Sequence, residues 1–232
     1  MQQEQLPVVL IPGFMLDETL WDEFISVYPD SRRFIRASLS QGQTIAEMAG
    51  HIASGLPERF VLAGFSLGGY VARAVAEAFP QRTAGMILIA TSLREDSPEQ
   101  RARLEAASRA ALSGDFKGIS PGAVKRSLHP SRHGDAALIQ KVREMGKRLG
   151  AEVFRTQSGL ERNGITLRPV SIPVMAVAAG QDQLRSDEEA AELADCFGCD
   201  VHVIEGSGHL IPLETPRELA RSVYTWLQTS GL

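Results

Sequence analysis

Gly64-Phe65-Ser66-Leu67-Gly68-Gly69 places a serine between glycines in the pattern Gly-x-Ser-x-Gly. The apolar run Arg59–Ala63 comes directly before it, and an Ala-rich helical pattern, Leu67–Phe79, directly after. A strand that turns sharply into a helix presses backbone segments together, so the flanking positions cannot carry large side chains. Ser66 then projects its hydroxyl from the turn, at the positive end of the helix. The glycines could instead cradle a phosphate, but no Lys-Ser/Thr pair follows them.

A serine hydroxyl is a poor nucleophile by itself and needs a base, which a carboxylate must orient. Of five histidines, His209 stands in Gly206-Ser207-Gly208-His209, after an apolar strand at Val201–Ile204. Open α/β sheets carry functional groups at the C-terminal edge of their parallel strands, which is where this loop falls. The strand Val174–Ala178 runs into Ala179-Gly180-Gln181-Asp182, making Asp182 the orienting acid. Asp187 reads instead as a helix start, with Ser186 or Asp187 itself as N-cap. Negative charge on a reacting oxygen needs backbone N–H donors, one of them from the residue after the nucleophile. That residue is Leu67. Phe14, in Pro12-Gly13-Phe14-Met15 after the first strand, is the second, with Gly13 allowing close backbone approach.

The elements that must position these residues follow a βαβ pattern, with short apolar runs alternating with amphipathic segments. Strands are expected at Val8–Ile11, Arg33–Arg36, Arg59–Ala63, Gly85–Ala90, Val174–Ala178 and Val201–Ile204. Helices are expected around Asp17–Val27, from the N-cap Thr44 to Gly55, over Leu67–Phe79, from Asp187, and from Pro216 to Leu227. Between Thr91 and about Arg168 the pattern turns helical, with segments near Glu99–Ala111, Pro121–Ser127 and Ala136–Gly146. The expected architecture is a single α/β domain over residues 1–232, a mostly parallel central sheet with helices on both faces and a helical insertion at about 92–168.

With these residues in place the chain resembles the α/β-hydrolase superfamily, in particular small bacterial single-domain serine hydrolases with a short helical lid. The resemblance runs from Pro7 to Leu227 and rests on Gly64–Gly69, the Asp182 turn, Gly206–His209 and Leu213-Glu214-Thr215-Pro216. It implies Ser66 as nucleophile, His209 as base, Asp182 as orienting acid, Phe14 and Leu67 as oxyanion-hole amides, and the insertion as lid. It departs from the family where the usual His-Gly is Pro12-Gly13, and where a Gly three places before the acid is Ala179. The family's opening antiparallel hairpin is also missing, which implies a smaller, nearly all-parallel sheet.

The implied activity is cleavage of a small carboxylic ester or related acyl bond through an acyl-enzyme, with no organic cofactor and no metal. A carbon–carbon bond hydrolase or lyase would use the same triad, and a non-catalytic small-ligand receptor could keep it; both stay open. Haloalkane dehalogenation is disfavoured, because those relatives carry aspartate where this chain has Ser66. The net charge of −4 gives no reason to expect nucleic acid or an anionic membrane as partner. The expected partner is a small-molecule substrate, with oligomeric state open. The N-terminus lacks a basic start and a long apolar run, so a cytoplasmic location is expected. Cys196 and Cys199 read as residues closing a turn. His129-Pro130-Ser131-Arg132-His133 reads as lid lining the pocket rather than a metal site, as do Arg155 and Gln157.

Overall fold

Val8, Val9, Leu10 and Ile11 have no accessible surface, although strand side chains alternate between two faces. Both faces of this strand must therefore be covered. The computed structural model describes residues 5–112, 114, 116–162 and 171–232. Six strands make one sheet, β1 (Val8–Ile11), β2 (Phe34–Arg36), β3 (Phe60–Phe65), β4 (Thr83–Ile89), β5 (Val174–Ala179) and β6 (Val201–Ile204). Their order is β2-β1-β3-β4-β5-β6 and every neighbouring pair is parallel.

The helices are α1 (Asp22–Ser26), α2 (Ile45–Ser54), α3 (Leu67–Ala78), α4 (Pro98–Leu112), α5 (Pro121–Ser127), α6 (Ala136–Ser158), α7 (Asp187–Phe197), α8 (Ile211–Glu214) and α9 (Pro216–Thr229). Val9, Ile11, Phe60 and Leu62 pack with α2, α3 and α7 on one side of the sheet. Val8, Leu10, Val61, Ala63 and Phe65 face Phe24 of α1 and Leu219, Val223 and Leu227 of α9 on the other. Val124, Leu138, Val142 and Met145 bring α5 and α6 into that second core. Burying each such side chain contributes about 1.5–3 kcal/mol, so the two-sided burial of the central strands holds the sheet.

Strand order reverses between β1 and β3. The chain leaves β1 for β2 on one side, then crosses back to β3 on the other. At such a point the loops after the two strands diverge and leave a crevice at their C-terminal ends. Here those loops begin at Pro12 and Ser66.

Local signals mark the helix ends. Thr44 Oγ1 accepts the Glu47 N–H at 3.1 Å and opens α2. Ser186 and Glu189 form a reciprocal capping box at the start of α7, and Gly198 closes it in the left-handed conformation at φ 62°. Cys196 and Cys199 flank that closure and are free thiols. The helix expected over Ala136–Gly146 instead continues to Ser158, because Gly150 absorbs a break at φ 83° and the helix resumes beyond it. The far end of the expected insertion, near Arg168, and residues 1–4 lie outside the described residues. Among the described residues no helix is long and apolar enough to cross a membrane.

Ser186→Ala removes one half of the capping box beside the Asp182 turn. It should lower unfolding stability by about 1 kcal/mol in urea titration, with an unchanged m-value.

Candidate active site

The turn from β3 into α3 is crowded enough to dictate its residue types. A Cβ on Gly64 would collide with the carbonyl of Gly68, and one on Gly68 with the carbonyls of Ile11 and Pro12. A Cβ on Gly69 would strike the side chain of Thr91. Ser66 itself sits at φ 51°, ψ −114°, outside the conformations a non-glycine residue prefers. Its N–H donates to Ile89 O at 2.8 Å, and Thr91 Oγ1 donates to Ser66 O at 2.7 Å. These bonds hold the turn from β4.

His209 and Asp182 come from the loops after β6 and β5. His209 Nε2 lies 3.0 Å from Ser66 Oγ, and Nδ1 lies 2.7 Å from Asp182 Oδ2. The carboxylate accepts from Nδ1–H, leaving Nε2 to accept the Ser66 hydroxyl proton. Asp182 Oδ1 accepts the N–H groups of Leu184 and Arg185 at 2.7 and 3.1 Å. Burial pushes the Asp182 carboxyl up, but His209 and these two amides outweigh it and leave its pKa below the ordinary value. His209 is only 5% exposed and packs on Phe65, with ring centroids 5.1 Å apart. The structure thus joins all three residues singled out in the sequence.

Gly13 brings the other proposed donor loop close, since a Cβ there would meet the Phe65 ring and Ser66 Cβ. Leu67 is the first residue of α3, where an N–H has no partner within the helix. Among the described residues, neither Phe14 N–H nor Leu67 N–H is engaged in a turn or cap hydrogen bond. Phe14, Phe65, Ser66 and His209 line a cavity of about 260 Å³, together with Ile119, Val124, Arg126 and Ser127 of the helical segment. A wider cleft of about 540 Å³ lies between α2 and α3, but it reaches neither Ser66 nor His209.

Several residues around the site were not legible as functional. Gln181 ties the two loops together, its Oε1 accepting the Gly206 N–H at 2.9 Å and its Nε2 donating to Glu205 at 3.0 Å. Leu210 N–H donates to Ser127 O at 3.2 Å, and His129 N–H to Glu214 Oε2 at 2.7 Å, so the helical segment is fastened to the His209 loop. Burial raises the Glu214 carboxyl above its ordinary pKa despite the His129 amide. Their sequence signals were slight: Gln181 precedes Asp182, and Glu214 lies in the Leu213–Pro216 stretch a few residues after His209.

The expected pocket-lining roles of other residues need correction. His129 and His133 are not in the cavity wall; His129 Nδ1 bonds Ser131 at 2.7 Å, within its own turn. Arg155 points outward to Glu152 at 3.0 Å. Gln157 is buried outside that cavity's wall, its amide taken up by the Met15 N–H and Leu39 O. Among the described residues no group of three His, Cys, Asp or Glu side chains could hold a metal ion.

Comparison with known proteins agrees with this fold. The family model described as the alpha/beta hydrolase family matches residues 8–222. A pimeloyl-[acyl-carrier protein] methyl ester esterase from Yersinia enterocolitica is 26% identical over 201 residues, covering 82% of this chain and 70% of that protein. The structure of a thermophilic esterase from Thermogutta terrifontis superposes with a TM-score of 0.80 at 27% identity, covering 97% of this chain and 90% of its own. An enol-lactonase from Burkholderia xenovorans LB400 shares the fold, with a TM-score of 0.82 at 16% identity over 97% of this chain and 92% of its own. Six parallel strands, the glycine-crowded turn at Ser66 and a family match over residues 8–222 lead to one conclusion: the chain belongs to the alpha/beta hydrolase family and is a carboxylesterase-like hydrolase.

Proposed function

We propose that the chain hydrolyses small carboxylic esters by two-step acyl transfer through Ser66. The observation that carries this reading is the contact of His209 with Ser66 on one nitrogen and Asp182 on the other, at the wall of a cavity. His209 Nε2 takes the Ser66 proton as Oγ attacks the carbonyl carbon. The oxygen that gains charge meets the N–H groups of Phe14 and Leu67. His209 then returns the proton to the leaving alcohol. Water enters, gives a proton to the same nitrogen as its oxygen attacks the acyl carbon, and His209 passes that proton to Ser66 Oγ as the acid leaves. Asp182 holds the imidazole in the required tautomer and stabilises its charged form. The substrate is a small molecule, and the reaction needs neither metal nor organic cofactor.

Cavity size supports a short acyl group, since about 260 Å³ lies below the roughly 300–1,000 Å³ of drug-sized ligand sites. Arg126 adds a charge preference. It lines the cavity, is exposed, and has no acidic partner among the described residues. A carboxylate at the far end of the acyl chain would meet this cation.

A series of p-nitrophenyl esters of increasing acyl length tests the reading. Turnover should fall as the chain lengthens, and Ser66→Ala should abolish it with the fold retained by circular dichroism. Full activity in that variant, or folded wild-type protein inert to the whole series, overturns it. Asp182→Asn should lower kcat by about 10⁴-fold, because the amide no longer enforces the tautomer that leaves Nε2 free. For Arg126→Glu, the ratio of kcat/KM on p-nitrophenyl hemiglutarate to that on p-nitrophenyl valerate should drop by roughly 3- to 10-fold. Added salt should shrink the difference. An unchanged ratio removes Arg126 from specificity.

A further inference from the structure

Gln157 is 1% exposed, and both ends of its amide are used. Its Oε1 accepts the Met15 N–H at 2.8 Å, and its Nε2 donates to Leu39 O at 3.0 Å. Both partners are backbone groups of loops at the C-terminal ends of β1 and β2. Met15 has φ 53°, one of three non-glycine residues at positive φ among the described residues, with Ser66 and Ala90. All three lie around the nucleophile. A residue held there persists only when its surroundings over-determine it.

Three side chains of α6 hold Phe14, Met15 and Asp17. Phe154, one turn before Gln157, packs its ring on Phe14 with centroids 5.5 Å apart. Arg148 Nε donates to the buried Asp17 carboxylate at 2.7 Å. Within the loop, Leu16 N–H closes a turn on Gly13 O at 3.3 Å. Gln157 supplies the remaining restraint, on the peptide that joins Phe14 to Met15. That peptide adjoins the one carrying the Phe14 N–H. Two successive amides are thereby separated in purpose: Met15 N–H is satisfied inward by Gln157, and Phe14 N–H is left for the reacting oxygen.

We propose that Gln157 is a positioning residue for the oxyanion hole, which α6 completes by fixing the Phe14–Met15 peptide. The inference rests on the reading of Phe14 N–H as an oxyanion donor. Its consequence is that the helical segment does more than cover the cavity, because its last turn sets the geometry of a donor. The side chain must both accept and donate. Leucine does neither. Glutamate accepts in either form but donates to Leu39 O only when protonated, and burial raises its pKa toward the neutral range.

The experiment is the rate at which an alkyl fluorophosphonate labels Ser66, followed by intact mass, for wild type, Gln157→Leu and Gln157→Glu between pH 5 and 8. In labelling, Ser66 Oγ bonds to phosphorus, fluoride leaves, His209 takes the proton, and the phosphoryl oxygen enters the oxyanion hole. Gln157→Leu should label about 10- to 100-fold more slowly than wild type at every pH, below the roughly 10²–10³ for outright loss of a donor. Gln157→Glu, expressed as a ratio to wild type at each pH, should recover as pH falls and the carboxyl protonates. With p-nitrophenyl acetate the loss should appear in kcat, with KM within about threefold. Equal labelling by all three proteins overturns the proposal, and so does a flat Gln157→Glu ratio or an effect confined to KM. Should Gln157→Leu fail to fold, the glutamate ratio still decides. Wild-type protein that is not labelled at Ser66 overturns the nucleophile assignment itself, a separate result.

Discussion

The close approach of β1, β3 and the start of α3 is the constraint on which the rest of the site depends. Gly64, Gly68 and Gly13 have no room for a side chain, since each would strike the backbone or side chain of a neighbouring segment. That crowding forces the chain to reverse within a residue or two, and Ser66 takes the strained conformation that results. Backbone strain of this kind costs on the order of 1–3 kcal/mol per residue. It is offset by the bonds of Ser66 to Ile89 and Thr91, and by the fully buried side chains of β3 and β4 on either side. A stiff sheet is therefore the condition for a nucleophile that reaches the cavity from a half-buried position. The hydroxyl projects because its backbone cannot relax.

The other two members of the triad reach Ser66 from strands on one side of it. Asp182 follows β5 and His209 follows β6, and the intervening loops are short and cross-braced by Gln181. Short, bonded loops limit the freedom of the imidazole, which would otherwise lose entropy on docking against the serine. Asp182 is held twice over, by the amides of Leu184 and Arg185 on one oxygen and by His209 on the other. Those contacts keep it ionised although it is buried, so the charge needed to favour an imidazolium is already in place.

The helical segment between β4 and β5 is fastened to this machinery at several points. Its α5 end bonds the His209 loop through Ser127, and His129 bonds Glu214. Its α6 helix bonds the loop after β1 through Arg148 and Gln157. By contrast, α4 exposes nearly every side chain, with Ser108 its one buried residue, and Arg109 and Glu105 pair loosely at 4.0 Å in solvent. An exposed pair of that kind contributes little, on the order of 0–1 kcal/mol. α5 and α6 are fastened beside the cavity, and the solvent-side α4 packs on α6.

The sheet, the turn at Ser66, and the histidine and aspartate beside it are legible in the residues alone. Those features follow from local rules: buried parallel strands read as apolar runs, a sharp turn demands glycine, and chain order sets which strand end carries which residue. Strand positions were legible to within a few residues for the same reason, with Phe60–Phe65 in place of Arg59–Ala63 and Thr83–Ile89 in place of Gly85–Ala90. Tertiary structure alone decided what surrounds the triad. Gln157 looked like a polar residue facing a pocket, yet it is buried against two backbone groups 142 and 118 residues away in the chain. Gln181, Glu214 and Arg126 acquired their places the same way. Periodicity shows which face of a helix is buried. It carries no information about which distant amide or carbonyl that face will meet, because that depends on how the helices pack on the sheet.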